Sequence, residues 1–285
     1  MTLYVSLRQS LRAGSVTTAR VFAGRAGSTD LTPVEASTYP TLFRGKDVLL
    51  AAHGFNVSGA EGINALGWLE ARLQPRAGEC FAGVLWPGDW WIPAVNYPAE
   101  AADAVQSGKH LAAFCNKHLK DARSLSLLSH SLGGRVMLET AKRLVPVSGR
   151  ETPARVICLT AAAVDNDCLT RQYATVPGQC RTFANLASNN DRVLKYAYPA
   201  GDFFSDLFGD NDSPWSGALG LKGPKGAVGS NVHASQIPDT PPYDHGNYLP
   251  PSASTPPAAT NPPQLWERAA DFMARAFRDQ TQTWP

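Results

Sequence analysis

Apolar positions along the chain alternate between two spacings. Continuous runs rich in Val, Leu, Ile and Ala at 48–52, 81–86, 125–128, 155–161 and 181–187 predict strands covered on both faces. A further run at 230–237 is expected to close the sheet. Between them, 63–73, 98–119 and 134–145 carry apolar residues three and four apart, as helices packed on a sheet do, and 265–277 reads as a terminal helix. Near the start, 3–7 and 19–23 are predicted to pair as an antiparallel hairpin through the turn-prone 13–15. Strands alternating with helices in this way predict an α/β fold: a mostly parallel central sheet with helices on both faces and an antiparallel N-terminal start.

Two stretches break the rhythm. Residues 198–229 are rich in Gly, Asp and Pro yet hold Phe203, Phe204, Leu207, Phe208 and Trp215, and long loops of this kind are functional or disordered. Residues 250–263 form a Pro, Ser, Thr and Ala tract that favours extended conformations and is expected on the surface. No internal repeat indicates a solenoid or propeller, and residues 1–285 are expected to form one domain with these two excursions.

Composition narrows the function. Hydrophobic residues make up 44% and charged residues 18%, which suits a chain with a large core rather than a disordered one. The formal net charge of +2 comes without any dense basic run, so nucleic acid is not expected as a partner. Five cysteines, an odd number with no CxxC pair, suggest neither a disulfide framework nor a zinc site. The opening residues lack the apolar stretch of a secretory signal, and no apolar run is long enough to span a membrane, so a cytoplasmic location is expected.

The chemistry concentrates at Ser129-His-Ser131-Leu-Gly-Gly134, where a predicted strand meets a predicted helix in one tight turn. A serine on such a turn needs small neighbours, here Ser129, Gly133 and Gly134, and projects its hydroxyl from the sheet edge. The Leu132 N–H would then point toward a developing oxyanion at the positive end of the helix. A second turn, His53-Gly54-Phe55-Asn56, follows the run 48–52 and offers the Phe55 N–H as the other oxyanion donor.

Serine needs a base. His53 and His130 belong to these two turns, while His110 and His118 are placed on an exposed helix face with nothing to bridge. His233 falls within the last strand, whereas His245 lies in the loop beyond it, from which a side chain can reach a neighbouring strand end; His245 is the candidate base. The acid is expected between serine and histidine in the chain, and two that follow predicted strands qualify: Asp191, after the run 181–187, and Asp165, after the run 155–161. Chain order favours Asp191, with Asp165 the alternative.

Together the motifs HGFN at 53–56, LWPGD at 85–89, SHSLGG at 129–134, SNNDRVL at 188–194 and DHGNYL at 244–249 resemble the α/β-hydrolase superfamily, and more closely an uncharacterised, lipase-like branch of bacterial serine hydrolases. The first glycine of the usual elbow is replaced by Ser129. The resemblance implies nucleophile Ser131, acid Asp191, base His245 and oxyanion amides from Phe55 and Leu132. It also implies a small-molecule carboxylic ester with an apolar acyl or aryl group as substrate, with no cofactor and no metal required. The acidic stretch 209–213 lacks the continuation of a calcium loop and reads as a turn. The segment 164–179 is too short for the lid many lipase-like relatives carry there. The insertion at 198–229 is expected to serve instead, either folding Phe203 and Phe204 over the pocket or packing a satellite core. Trp90 and Trp91 are candidates for the pocket wall. Acyl transfer at the same site, or a scaffold that keeps the fold without catalysis, are the competing functions.

Overall fold

A computed structural model of the protein describes residues 1–11, 14–89, 97–197, 217–280 and 282–284. Its strands are β1 (Thr2–Arg8), β2 (Val16–Gly24), β3 (Thr32–Pro33), β4 (Asp47–Ala52), β5 (Glu79–Leu85), β6 (Ser124–His130), β7 (Ala154–Thr160), β8 (Cys180–Ala187) and β9 (Val232–Gln236). The helices are α1 (Tyr39–Phe43), α2 (Gly59–Leu73), α3 (Tyr97–His118), α4 (Gly133–Lys142), α5 (Leu219–Lys222) and α6 (Leu265–Phe277). All nine strands belong to one sheet in the order β3-β2-β1-β5-β4-β6-β7-β8-β9. From β1 to β9 every neighbouring pair is parallel, and β2 alone runs the other way, antiparallel to both β1 and β3.

The central strands are the continuous apolar runs because both their faces are covered. Val48 to Ala52, Leu125, Leu127 and Leu128, and Val156 to Leu159 are all buried. The edge strands differ: β2 buries only Val21, and β9 has no fully buried residue. Helix α2 begins four residues ahead of its apolar periodicity because Ser58 caps it. The Ser58 hydroxyl accepts the Glu61 N–H at 3.3 Å, and the Glu61 carboxylate accepts the Ser58 N–H at 2.8 Å. Helix α4 stops at Lys142, short of the expected 145. The short elements β3, α1 and α5 carry too few residues for a period and are absent from the sequence expectation.

The Pro-rich tract is mostly exposed, as expected, but it is tied down. Asn64 and Trp68 of α2 donate hydrogen bonds to the Ser252 and Ala253 carbonyls, both at 3.0 Å. Of the insertion at 198–229, the described part returns to the sheet through α5. There Leu219 N–H donates to the Val164 carbonyl at 2.7 Å and Gly220 N–H to the Ala162 carbonyl at 3.0 Å, while Gly220 O accepts Ser188 N–H at 3.0 Å. A side-chain carbon at Gly220 would lie 2.1 Å from Ala162 N, so only glycine permits this approach. Trp90, Trp91, Phe203 and Phe204 lie outside the described residues.

The parallel arrangement puts the carboxyl ends of β4 to β9 on one rim. Ala52 pairs with Ser129, Ser129 with Leu159, Thr160 with Leu186, and Ala187 with Gln236. Turns leaving these strands therefore converge, which is where α/β sheets bind ligands.

Candidate active site

Ser131 follows β6 and opens into α4 with a left-handed φ of 56°. A serine adopts this conformation only where its surroundings enforce it, and here they do. Ser131 N–H donates to the Thr160 carbonyl at 3.0 Å, and the Ser131 carbonyl accepts the N–H groups of Ala163 (3.2 Å) and Gly134 (2.9 Å). The elbow is thereby stitched to the end of β7. Gly133 is the tightest position in it, since an added side-chain carbon would lie 2.4 Å from the His53 carbonyl oxygen, whereas at Gly134 the nearest neighbour would be Ala162 Cβ at 3.3 Å. Ser129, standing where a glycine is usual, is fully buried.

The turn after β4 closes on the same point. A side-chain carbon at Gly54 would lie 2.8 Å from Ser131 Cβ and 3.4 Å from its Oγ. Asn56 takes a φ of 56° and donates its N–H to the Gly88 carbonyl at 2.5 Å, and Val57 forms a bridge with Gly88. The HGFN and LWPGD segments are thus one joined structure, anchored further by Trp86, whose indole N–H donates to the His53 carbonyl at 2.8 Å. Behind it the buried Arg8 guanidinium grips both Asp89 oxygens at 2.7 Å and the Trp86 carbonyl at 2.9 Å, a tie from β1 that no motif announces. Phe55 sits half-buried between these fixed points, and Leu132, fully buried, is the N-cap of α4.

His245 brings the rim together. Its Nε2 lies 2.8 Å from Ser131 Oγ, and its Nδ1 lies 2.8 Å from Asp191 Oδ2. With Nδ1–H donating to the carboxylate, the Nε2 lone pair is left to accept the serine hydroxyl. Asp191 is fully buried, and its other oxygen accepts the Leu194 N–H at 2.9 Å, so the carboxylate is held at both ends. Asp165, the alternative acid, is also buried, but its backbone bridges to Ala218 and the histidine's Nδ1 partner is Asp191.

The residues next to this pair are also matched. Arg192 N–H donates to Asp244 Oδ1 at 3.1 Å and Arg192 Nε to Oδ2 at 2.7 Å, while Asp244 Oδ1 also accepts the His245 N–H at 2.9 Å. Burial works to raise the Asp244 carboxyl, but the His245 N–H and Arg192 outweigh it and hold the group below its ordinary value. The Arg192 side chain is 77% exposed. Arg192→Ala is therefore expected to lower unfolding free energy by only about 0.2–1 kcal/mol, measured by urea denaturation; a loss of several kcal/mol would contradict a solvent-screened clasp.

The other histidines are placed as follows. His233 is exposed on β9. His110 and His118 do not stand unengaged as the sequence suggested. The His110 ring meets Gln106 Nε2 at 3.1 Å, and His118 packs edge-on against Tyr39, ring centroids 5.2 Å apart. His53 and His130 are buried. Burial, with the Arg8 charge adding, pushes His53 down to about 4, and burial, with His245 beside it, pushes His130 down to about 3. All five cysteines are buried thiols, and burial pushes Cys115, Cys158 and Cys180 up to about 12, which keeps them poor nucleophiles at neutral pH.

A cavity of about 490 Å³ opens between the turn after β4, α2 and the turn carrying His245, with Val57, Ala65, His130, Leu249, Pro250 and Trp266 in its wall. Among the described residues no His, Cys, Asp and Glu cluster forms a metal site, and no helix is long and apolar enough to cross a membrane.

A mostly parallel sheet, a strained serine after its sixth strand, and an acid and a histidine on later turns define the α/β-hydrolase class. Within it, the chain belongs to the family described as alpha/beta hydrolase of unknown function (DUF900), whose model matches residues 41–199. That stretch includes Ser131 and Asp191 and ends before His245. Among solved structures the chain is similar to the ydeN gene product of B. subtilis, at 14% identity and a TM-score of 0.40 over 70% of this chain and 88% of that one. It is similar to esterase PE8, at 14% and 0.43 over 84% and 94%, and to a cutinase-like protein from Cryptococcus sp., at 11% and 0.36 over 83% and 94%. No curated protein matches it.

Proposed function

We propose that this hydrolase cleaves small carboxylic esters through an acyl-enzyme on Ser131. The observation that carries the reading is the unbroken hydrogen-bond chain from Ser131 Oγ through His245 to Asp191, with both links at 2.8 Å. His245 Nε2 takes the hydroxyl proton as Ser131 Oγ attacks the ester carbonyl carbon, and the carbonyl oxygen becomes an oxyanion. The N–H groups of Phe55 and Leu132 hold that oxyanion, a type of contact worth about 100- to 1000-fold in rate per donor. The tetrahedral centre then collapses: the C–O bond to the alcohol breaks, and His245 returns its proton to the leaving oxygen. Water, deprotonated by the same nitrogen, attacks the acyl carbon and releases the acid and free serine. Asp191 holds the imidazole in the tautomer that leaves Nε2 basic and stabilises the imidazolium that forms. The apolar wall of the neighbouring cavity supports an apolar substituent on the ester.

A fluorophosphonate probe tests this directly. Covalent labelling is expected in the intact protein and is expected to disappear in Ser131→Ala and His245→Ala. A folded wild-type protein that takes no label would favour a scaffold that keeps the fold without the chemistry.

A further inference from the structure

His245 is held at all four of its polar atoms, and three of the partners have roles above: Asp244 accepts its N–H, Asp191 its Nδ1–H, and Ser131 donates to its Nε2. The fourth contact is different in kind. The carbonyl oxygen of His245 lies 2.8 Å from Nε2 of His130, the residue immediately before Ser131. A carbonyl can only accept, so His130 must carry its proton on Nε2 and donate it. The two rings also pack at a tilt, with centroids 4.8 Å apart and planes at 46°, and Tyr248 packs on the His130 ring at 5.8 Å.

On these contacts we infer that His130 is a positioning residue, which fixes the backbone of His245 relative to the nucleophile through the hydrogen bond from its Nε2–H. This inference rests on the proposed triad. His130 ends β6, and its ring is confined on the other side by Gly54, where a side-chain carbon would lie 3.1 Å from His130 Nδ1. The strand that presents the serine therefore also carries a rigid arm to the loop that presents the base. That loop has no sheet pairing of its own: His245 stands in a single 3₁₀ turn, His245–Asn247, beyond β9. Without the arm, the base is held by the bond that closes its own turn, Asn247 N–H to the Asp244 carbonyl at 3.0 Å, and by side-chain contacts, and misplacement by about 1 Å is enough to cost roughly 100-fold in rate. Burial keeps His130 neutral at working pH, so the arm adds no positive charge against the imidazolium that His245 becomes during catalysis.

Three variants separate this role from simple packing. Gln at 130 can place an N–H donor near the position of Nε2; Asn has the same amide but is too short to reach; Phe fills the space with no donor. Against a short p-nitrophenyl ester, His130→Phe and His130→Asn are expected to lose about 10- to 100-fold in kcat with KM changed less than about twofold. His130→Gln is expected to keep most of the turnover. Fluorophosphonate labelling rates of Ser131 are expected to follow the same order, and His130→Asn serves alone if His130→Phe does not fold. Wild-type turnover and labelling in His130→Asn, or equal losses in His130→Asn and His130→Gln, would overturn the inference. Absence of Ser131 labelling in the wild type would instead overturn the triad, and with it the role given to His130.

Discussion

Replacing Asp191 by asparagine is expected to lower turnover of a short p-nitrophenyl ester by about 10,000-fold, with the protein folded as before. The substitution keeps an oxygen to accept the Leu194 N–H, so the turn that follows β8 survives. The amide nitrogen, however, would face His245 Nδ1 as a donor where the carboxylate was an acceptor. The imidazole then carries its proton on Nε2, and that nitrogen can no longer accept from Ser131 Oγ. Asp165→Asn is the control: the residue is buried on the turn after β7, its backbone bridges to Ala218, and the Nδ1 partner of the histidine is Asp191. Turnover in Asp165→Asn is expected to stay within a few-fold of wild type. A large loss confined to Asp165→Asn would transfer the acid role to that residue.

Acidification is expected to cost the fold about 3–4 kcal/mol between pH 7 and pH 5, a large part of the roughly 5–15 kcal/mol typical of a folded domain. The sources are His53 and His130, pushed by burial down to about 4 and about 3 in the folded protein, against an ordinary value of about 6.5 for an unfolded histidine. Below about pH 6.5 the unfolded chain binds protons that the folded one refuses, so stability falls with pH, at up to about 1.4 kcal/mol per unit for each ring. His118, lowered by partial burial, acts in the same direction, while Glu70, raised by burial, opposes it. The carboxylates of Asp47 and Glu79, lowered because contacts from Arg123 and Arg278 outweigh burial, contribute above their unfolded values and lose that contribution only as pH falls through their lower folded values, below the histidine window. Urea denaturation at pH 7 and pH 5 measures the difference. Equal unfolding free energies at the two values would contradict buried, neutral imidazoles, and His130→Phe is expected to remove about half of the pH dependence.

Much of this protein was legible from its sequence because its central strands are covered on both faces, so they appear as unbroken apolar runs, and its principal helices keep a clean three-and-four spacing. The convergence of Ser131, Asp191 and His245 followed from the same source: parallel strands deliver the turns after β6, β8 and β9 to one rim. What could not be read has a common physical character. The crossed pairing of Arg192 with Asp244, the grip of Arg8 on Asp89 and the reach of His130 to a backbone carbonyl join residues distant in the chain. None of them leaves a spacing that a period or a motif would reveal.

The contact of Gly133 with the His53 carbonyl, and of Gly54 with Ser131, means that the two turns offered as oxyanion donors are wedged against each other with no room for so much as a methyl group. Neither can be shifted without moving the other. Attempts to retool the protein for bulkier molecules would therefore find this half of the rim unyielding, and would have to gain their space from the facing side, where Leu249 and Pro250 leave the histidine turn.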